Sequence, residues 1–173
     1  MIAIFTFILV AGLFAQTQKG NWMIGGSAEF TSQKQNDFKT TTFGINPNAG
    51  YFVIDDLAIG AALQFSSVKD DDEDDAFTTF AFGPFVRYYF VDLGPSAKLF
   101  ANGSFGFGNV KYGDSQSFTQ WDISAGPAIF LNQHTALEIA LGYGSQKFKD
   151  FDAINAFGLR VGFQIHLGGG SSK

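Results

Sequence analysis

The sequence predicts an all-β fold, a closed antiparallel up-and-down transmembrane barrel of eight strands. Three observations carry this. Beyond residue 20, side-chain character alternates with period two almost to the end, the repeat of a strand rather than a helix. The 173 residues include 22 Phe and 21 Gly, an aromatic and small-residue bias that suits sheets. Only 16% of residues are charged, where soluble domains carry about 25%.

The elements follow in order. Residues 2–14, "IAIFTFILVAGLF", form an uncharged apolar run. It is shorter than the ~20 residues of a membrane helix but matches a signal-peptide core, with Ala15 at the cleavage position before Gln16. Residues 1–15 are therefore expected to be a signal peptide and residues 16–167 the barrel, with "GGGSSK" (168–173) a flexible C-terminal tail. The first strand carries Trp22, Ile24, Ala28 and Phe30 on one face and leads into the polar connection "SQKQNDFK". The second and third form the hairpin "INPNAGYFVIDDLAIGAALQF", turned at Asp55-Asp56. After the acidic connection "KDDDEDD" the fourth strand presents Phe80, Phe82, Pro84, Val86, Tyr88 and Phe90. The turn "VDLGPS" leads to a fifth with Leu99, Ala101, Phe105 and Phe107, followed by "KYGDSQS". A sixth runs from Trp121 to Leu131, and a seventh carries Leu137, Ile139, Leu141 and Tyr143. Beyond "QKFKDFD" the eighth ends Phe157, Leu159, Val161, Phe163, Ile165, Leu167. Pro47, Pro84 and Pro127 recur on the bulky face of the even strands, and each should mark a bulge or local irregularity, because proline lacks the ladder donor.

The opposite face is small or weakly polar, as in Gly60, Ala62, Gln64 or Ser124, Gly126. It is too poor in Lys and Glu for a soluble exterior, but its small residues fit the crowded interior of a narrow barrel. The bulky face then looks outward at lipid. Closure follows, since an open sheet edge leaves backbone groups unsatisfied in hydrocarbon. If the first strand enters from the periplasm, the polar odd-numbered connections lie outside the cell and the short turns inside. Trp22, Tyr51 and Tyr88 would form the inner aromatic girdle, with Trp121 and Tyr143 near the outer one.

The phrases "NPNAGYFVIDDLAIG", "GPFVRYYF" and "FGLRVGFQIHL" resemble hairpin and terminal-strand segments of the small eight-stranded outer-membrane barrels of Gram-negative bacteria, similar in plan to the OmpX and OmpA membrane-domain family. The resemblance spans residues 20–167. It implies export, residence in the bacterial outer membrane beside lipopolysaccharide, and insertion by the barrel-assembly machinery. Many members end on an aromatic residue which that machinery reads; here the last strand ends on Leu167.

Candidate functional residues are few. The pattern places Glu29, Arg87, Asp122, Glu138 and Arg160 in the lumen. The first and last strands are neighbours in a closed barrel, which would let Glu29 pair with Arg160. Arg87 and Glu138 fall at similar depth and should face each other across the interior. Such a network serves as a structural plug or, alternatively, as a gate or proton path. "KDDDEDD" lacks the spacing of a calcium loop and reads as a solvated tip, with divalent-cation bridging to lipopolysaccharide phosphates an open possibility. His134, in a turn, and His166, in the lumen, have no Ser and carboxylate companions for hydrolysis. The chain contains no Cys. No catalytic residue, cofactor or metal site is expected. The net charge of −5 without a basic cluster argues against nucleic acid. The expected function is non-enzymatic: a monomeric outer-membrane barrel with a plugged lumen and a structural or surface-interaction role, its ligand unspecified. The alternatives are a small pore or transport-related barrel, and a soluble exported lipocalin-like binder of an apolar ligand.

Overall fold

A computed structural model describes residues 16–35, 38–70, 76–112, 114–149 and 151–168. The expected signal peptide, the centre of the acidic connection (71–75) and tail residues 169–173 lie outside the described residues. Eight strands make up the fold: β1 (Trp22–Gln35), β2 (Phe38–Ile54), β3 (Leu57–Asp70), β4 (Phe77–Asp92), β5 (Ala97–Tyr112), β6 (Asp114–Phe130), β7 (Thr135–Phe148) and β8 (Ile154–Leu167). Each pairs antiparallel with the next, and β8 returns to β1 to close the barrel.

Alternation decides which way each side chain points. Ile59, Leu63, Phe82, Val86, Phe107, Ile123 and Leu141 stand exposed on the outside, whereas Ala58, Ala81, Ala128, Ala136 and Ala140 are buried within. The small inner residues also let neighbouring strands pack closely. At Gly126 an added Cβ would run into the backbone of Ile139 and Ala140. The strands run 14 to 17 residues, longer than the roughly 9–11 needed to cross hydrocarbon. Most of "SQKQNDFK" and "KYGDSQS" is strand rather than loop: β1 continues to Gln35 and β5 to Tyr112. Where a ladder rises beyond lipid, polar residues can occupy both faces, so the loss of alternation marks the membrane edge and not the strand end.

At the opposite end the turns are tight. Ile54 pairs with Leu57 around Asp55-Asp56, and Asp56 adopts a positive φ of 63°, a conformation aspartate tolerates better than most residues. Register shifts lie between Phe52 and Ile54 and between Tyr89 and Val91, just before short turns. The prolines behave differently from a bulge. Beside Pro47, Pro84 and Pro127 the ladder to the following strand skips two residue pairs and resumes in the same register. A missing donor interrupts the pairing without adding a residue.

One seam departs from full closure. β1 and β8 pair from Trp22↔Leu167 to Gly26↔Phe163, and among the described residues the ladder stops there. Gly26 has φ +148°, and a Cβ there would strike the backbone of Asn46 and Pro47. β1 itself stays paired with β2 through Gln35. Residues 154–160 of β8 are exposed throughout.

Candidate functional site: the layered lumen

The lumen is built in layers, starting from the short-turn end. Residues 16–21 fold across that mouth. The Thr17 hydroxyl donates to Asp56 Oδ1 (2.5 Å), and the Thr17 carbonyl accepts from the Asp56 N–H (2.7 Å). The Gly20 N–H donates to the Phe52 carbonyl and the Phe52 N–H to the Asn21 carbonyl, both at 2.9 Å. Gln16 Nε2 donates to the Asn132 carbonyl in the β6–β7 turn (3.4 Å), so the segment bridges two turns on different sides of the barrel. Lys98 Nζ lies 2.7 Å from Asp56 and 3.2 Å from Asp92, fixing β5 to the same corner.

Above this strap lies an aromatic layer. Met23, Phe52, Tyr89, Phe100 and Phe130 are buried and converge on the lumen. His166 sits among them, with ring centroids 5.4 Å from Phe130, 6.0 Å from Phe52 and 6.3 Å from Tyr89. Its ring nitrogens make no hydrogen bond to the protein.

The next layer is ionic. Arg87 Nη1 donates to both carboxylate oxygens of Glu138, at 2.7 and 2.9 Å, and Arg87 Nε donates to Asn102 Oδ1 at 3.3 Å. The Tyr89 hydroxyl and Gln164 Nε2 add donations to Glu138 at 3.3 and 3.4 Å. The guanidinium carbon lies 4.6 Å from the centroid of the Phe100 ring, within cation–π range. Both charged groups are buried and each meets several partners, the condition under which a buried pair holds rather than destabilises.

Beyond this floor the lumen widens into a polar cup of about 460 Å³. Gln120 Nε2 donates to Gln64 Oε1 (2.9 Å) and Asn46 Nδ2 to the Ser27 hydroxyl (3.3 Å). Arg160 holds Asp122 with two parallel hydrogen bonds of 2.6 and 2.5 Å.

Among the described side chains the lumen charges form two pairs, Arg87 with Glu138 and Arg160 with Asp122. The register, if continued, would place Glu29 opposite Arg160, but the β1–β8 ladder has already ended at Gly26. The backbone of Glu29 faces Gly44 in β2, and its side chain lies outside the description. On the outer surface Trp22 and Tyr51 touch near the short-turn end (5.2 Å between ring centroids), with Tyr88 exposed beside them along the β3–β4 pairing. Trp121 and Tyr143 pair at 5.7 Å farther along the barrel. His134 is exposed in the β6–β7 turn. Among the described residues no three His, Asp or Glu side chains come together as a metal site.

Sequence reasoning missed the strap at 16–21, the Lys98–Asp56 contact, and Tyr89 and Phe130 as lumen residues. The strap left one trace, the polar run "QTQKGN" directly ahead of the first outward Trp22.

The model of the family described as "Outer membrane protein beta-barrel domain" matches residues 1–164. The chain belongs to that family. Among solved structures it is similar to neisserial surface protein A, at 17% identity and TM-score 0.59, covering 85% of this chain and 97% of that one. It is also similar to OprG of Pseudomonas aeruginosa, at 12% identity and TM-score 0.55, covering 89% and 99%. The N-terminal barrel of Pseudomonas aeruginosa OprF gives 14% identity and TM-score 0.52, covering 86% and 98%. At these identities the likeness is one of fold. A comparison with curated protein sequences finds no match. As a member of the outer-membrane barrel family, the protein resides in the bacterial outer membrane, and its exposed apolar belt faces the lipid.

Proposed function

We propose that this outer-membrane barrel is non-enzymatic and non-conducting, a monomer with a structural or surface-interaction role. The observation that carries the reading is the stack closing the short-turn half of the lumen. The strap at 16–21, the aromatic layer and the Arg87–Glu138 bridge lie one above another. In this reading the short turns face the periplasm and the longer polar hairpins face outward, beside lipopolysaccharide. Trp22, Tyr51 and Tyr88 line the inner interface, and Trp121 and Tyr143 the outer. Residues 1–15 are removed as a signal peptide, which leaves Gln16 to begin the strap, and the assembly machinery inserts the barrel. The five lumen charges act as a plug, not as a gate.

The test is conductance in planar bilayers. The purified barrel is expected to give no steady channels. Reproducible single-channel steps from the native chain would replace the plug with a pore.

A further inference from the structure

We propose that the outer half of the lumen binds an amphipath with an uncharged, hydroxyl-rich head, whose alkyl chain leaves sideways through the seam between β1 and β8.

The seam provides the exit. Among the described residues its ladder ends at Gly26↔Phe163, and residues 154–160 of β8 are exposed on both faces. On the lumen side, a Cβ added at Gly158 would meet nothing within 4 Å. On the lipid side, Phe157 and Leu159 are 71% and 65% exposed, the most open apolar residues of the belt. Backbone without a ladder partner is tolerated at membrane depth only where it is buried in protein or lines a water-filled cavity. The seam meets that condition, because Ile154, Ala156, Arg160 and Gly162 also line the cup.

The cup selects the head. Its volume of about 460 Å³ falls in the range of small-molecule sites. Among the described side chains its charges cancel pairwise, Arg87 against Glu138 and Arg160 against Asp122. An ionic head would have to be desolvated without a free counter-charge among these four groups. The uncharged polar groups that line it, beside apolar side chains such as Ala62, Phe85 and Ala140, are amides and hydroxyls, among them Asn46, Asn48, Gln64, Ser104 and Gln120. Asn48 and Gln164 line the cup, and their side-chain oxygens, Oδ1 and Oε1, are buried without a hydrogen-bond partner in the protein, Gln164 being only 2% exposed. Buried acceptors of this kind call for donors. A sugar-like head supplies hydroxyl donors without bringing charge. The inference rests on the plugged reading only for the floor of the cup.

The test uses the full barrel in phosphatidylcholine nanodiscs, with the side-chain amide signals of Asn48, Gln64, Gln120 and Gln164 followed by NMR. Dodecyl maltoside is expected to shift them saturably. Maltose should bind at least about tenfold more weakly, for want of the chain, and dodecylphosphocholine should leave them unmoved. Gly158→Trp fills the open space at the seam and should abolish the maltoside shifts while preserving the backbone spectrum. Asn48→Leu, which leaves the seam intact, should weaken binding several-fold. Shifts that never saturate, that appear equally with dodecylphosphocholine, or that survive both substitutions would overturn the proposal. Equal binding of maltose would remove the seam from it. Conductance together with saturable binding would refute the plug and leave the cup.

Discussion

At the scale of single residues, the Arg87–Glu138 pair is the most buried ion pair among the described residues and was the most legible. Both residues fall on the lumen side of a period-two pattern, at depths that strand lengths alone make comparable. Glu138→Ala strands a buried guanidinium and should cost about 3–5 kcal/mol in urea unfolding from lipid. Replacing both residues with leucine should cost clearly less, because no orphaned charge remains. Equal losses from the single and double changes would mean that the pair is not coupled. Arg160 shows the limit of the same reasoning. It pairs with Asp122, and the β1–β8 ladder stops at Gly26, whose φ of +148° is not encoded in the alternation. Since Arg160 is half exposed, Asp122→Ala should cost no more than about 1 kcal/mol in the same unfolding measurement.

At the scale of elements, the strands were readable because each has one solvent per face. The strap was not, because residues 16–21 have no periodicity and are held by main-chain bonds to Phe52 and Asp56. Asp56 accepts from both Thr17 and Lys98. Asp56→Ala should therefore loosen the strap, raising hydrogen exchange at the Gly20 amide by tenfold or so while the β4–β5 ladder stays protected. Unchanged exchange at Gly20 would show that the backbone bonds alone hold it. The seam gives a second expectation. Amides of residues 154–162 that lack a β1 partner should exchange much faster than those of β4, which is paired on both sides. Uniform protection along β8 would mean that the seam is closed in the membrane. The prolines of β2, β4 and β6 were legible as interruptions, but their sparing of the register was not, because a missing donor and an extra residue look alike in sequence.

At the scale of the whole molecule, the account depends on which face meets lipid. Eight strands, low charge and a bulky face opposite a small one were enough to predict closure, and the family and fold agree. The most direct measurement uses the two tryptophans, Trp22 and Trp121, which stand 51% and 42% exposed on the outer surface toward opposite ends. Single-tryptophan variants, Trp22→Phe and Trp121→Phe, are reconstituted with lipids brominated at different acyl depths, and fluorescence quenching is recorded. The account predicts that both tryptophans are quenched, each most strongly by bromines nearest the headgroups, with one in each leaflet. Fluorescence indifferent to bromine at every depth would contradict it, since the bulky face would then not be in contact with lipid.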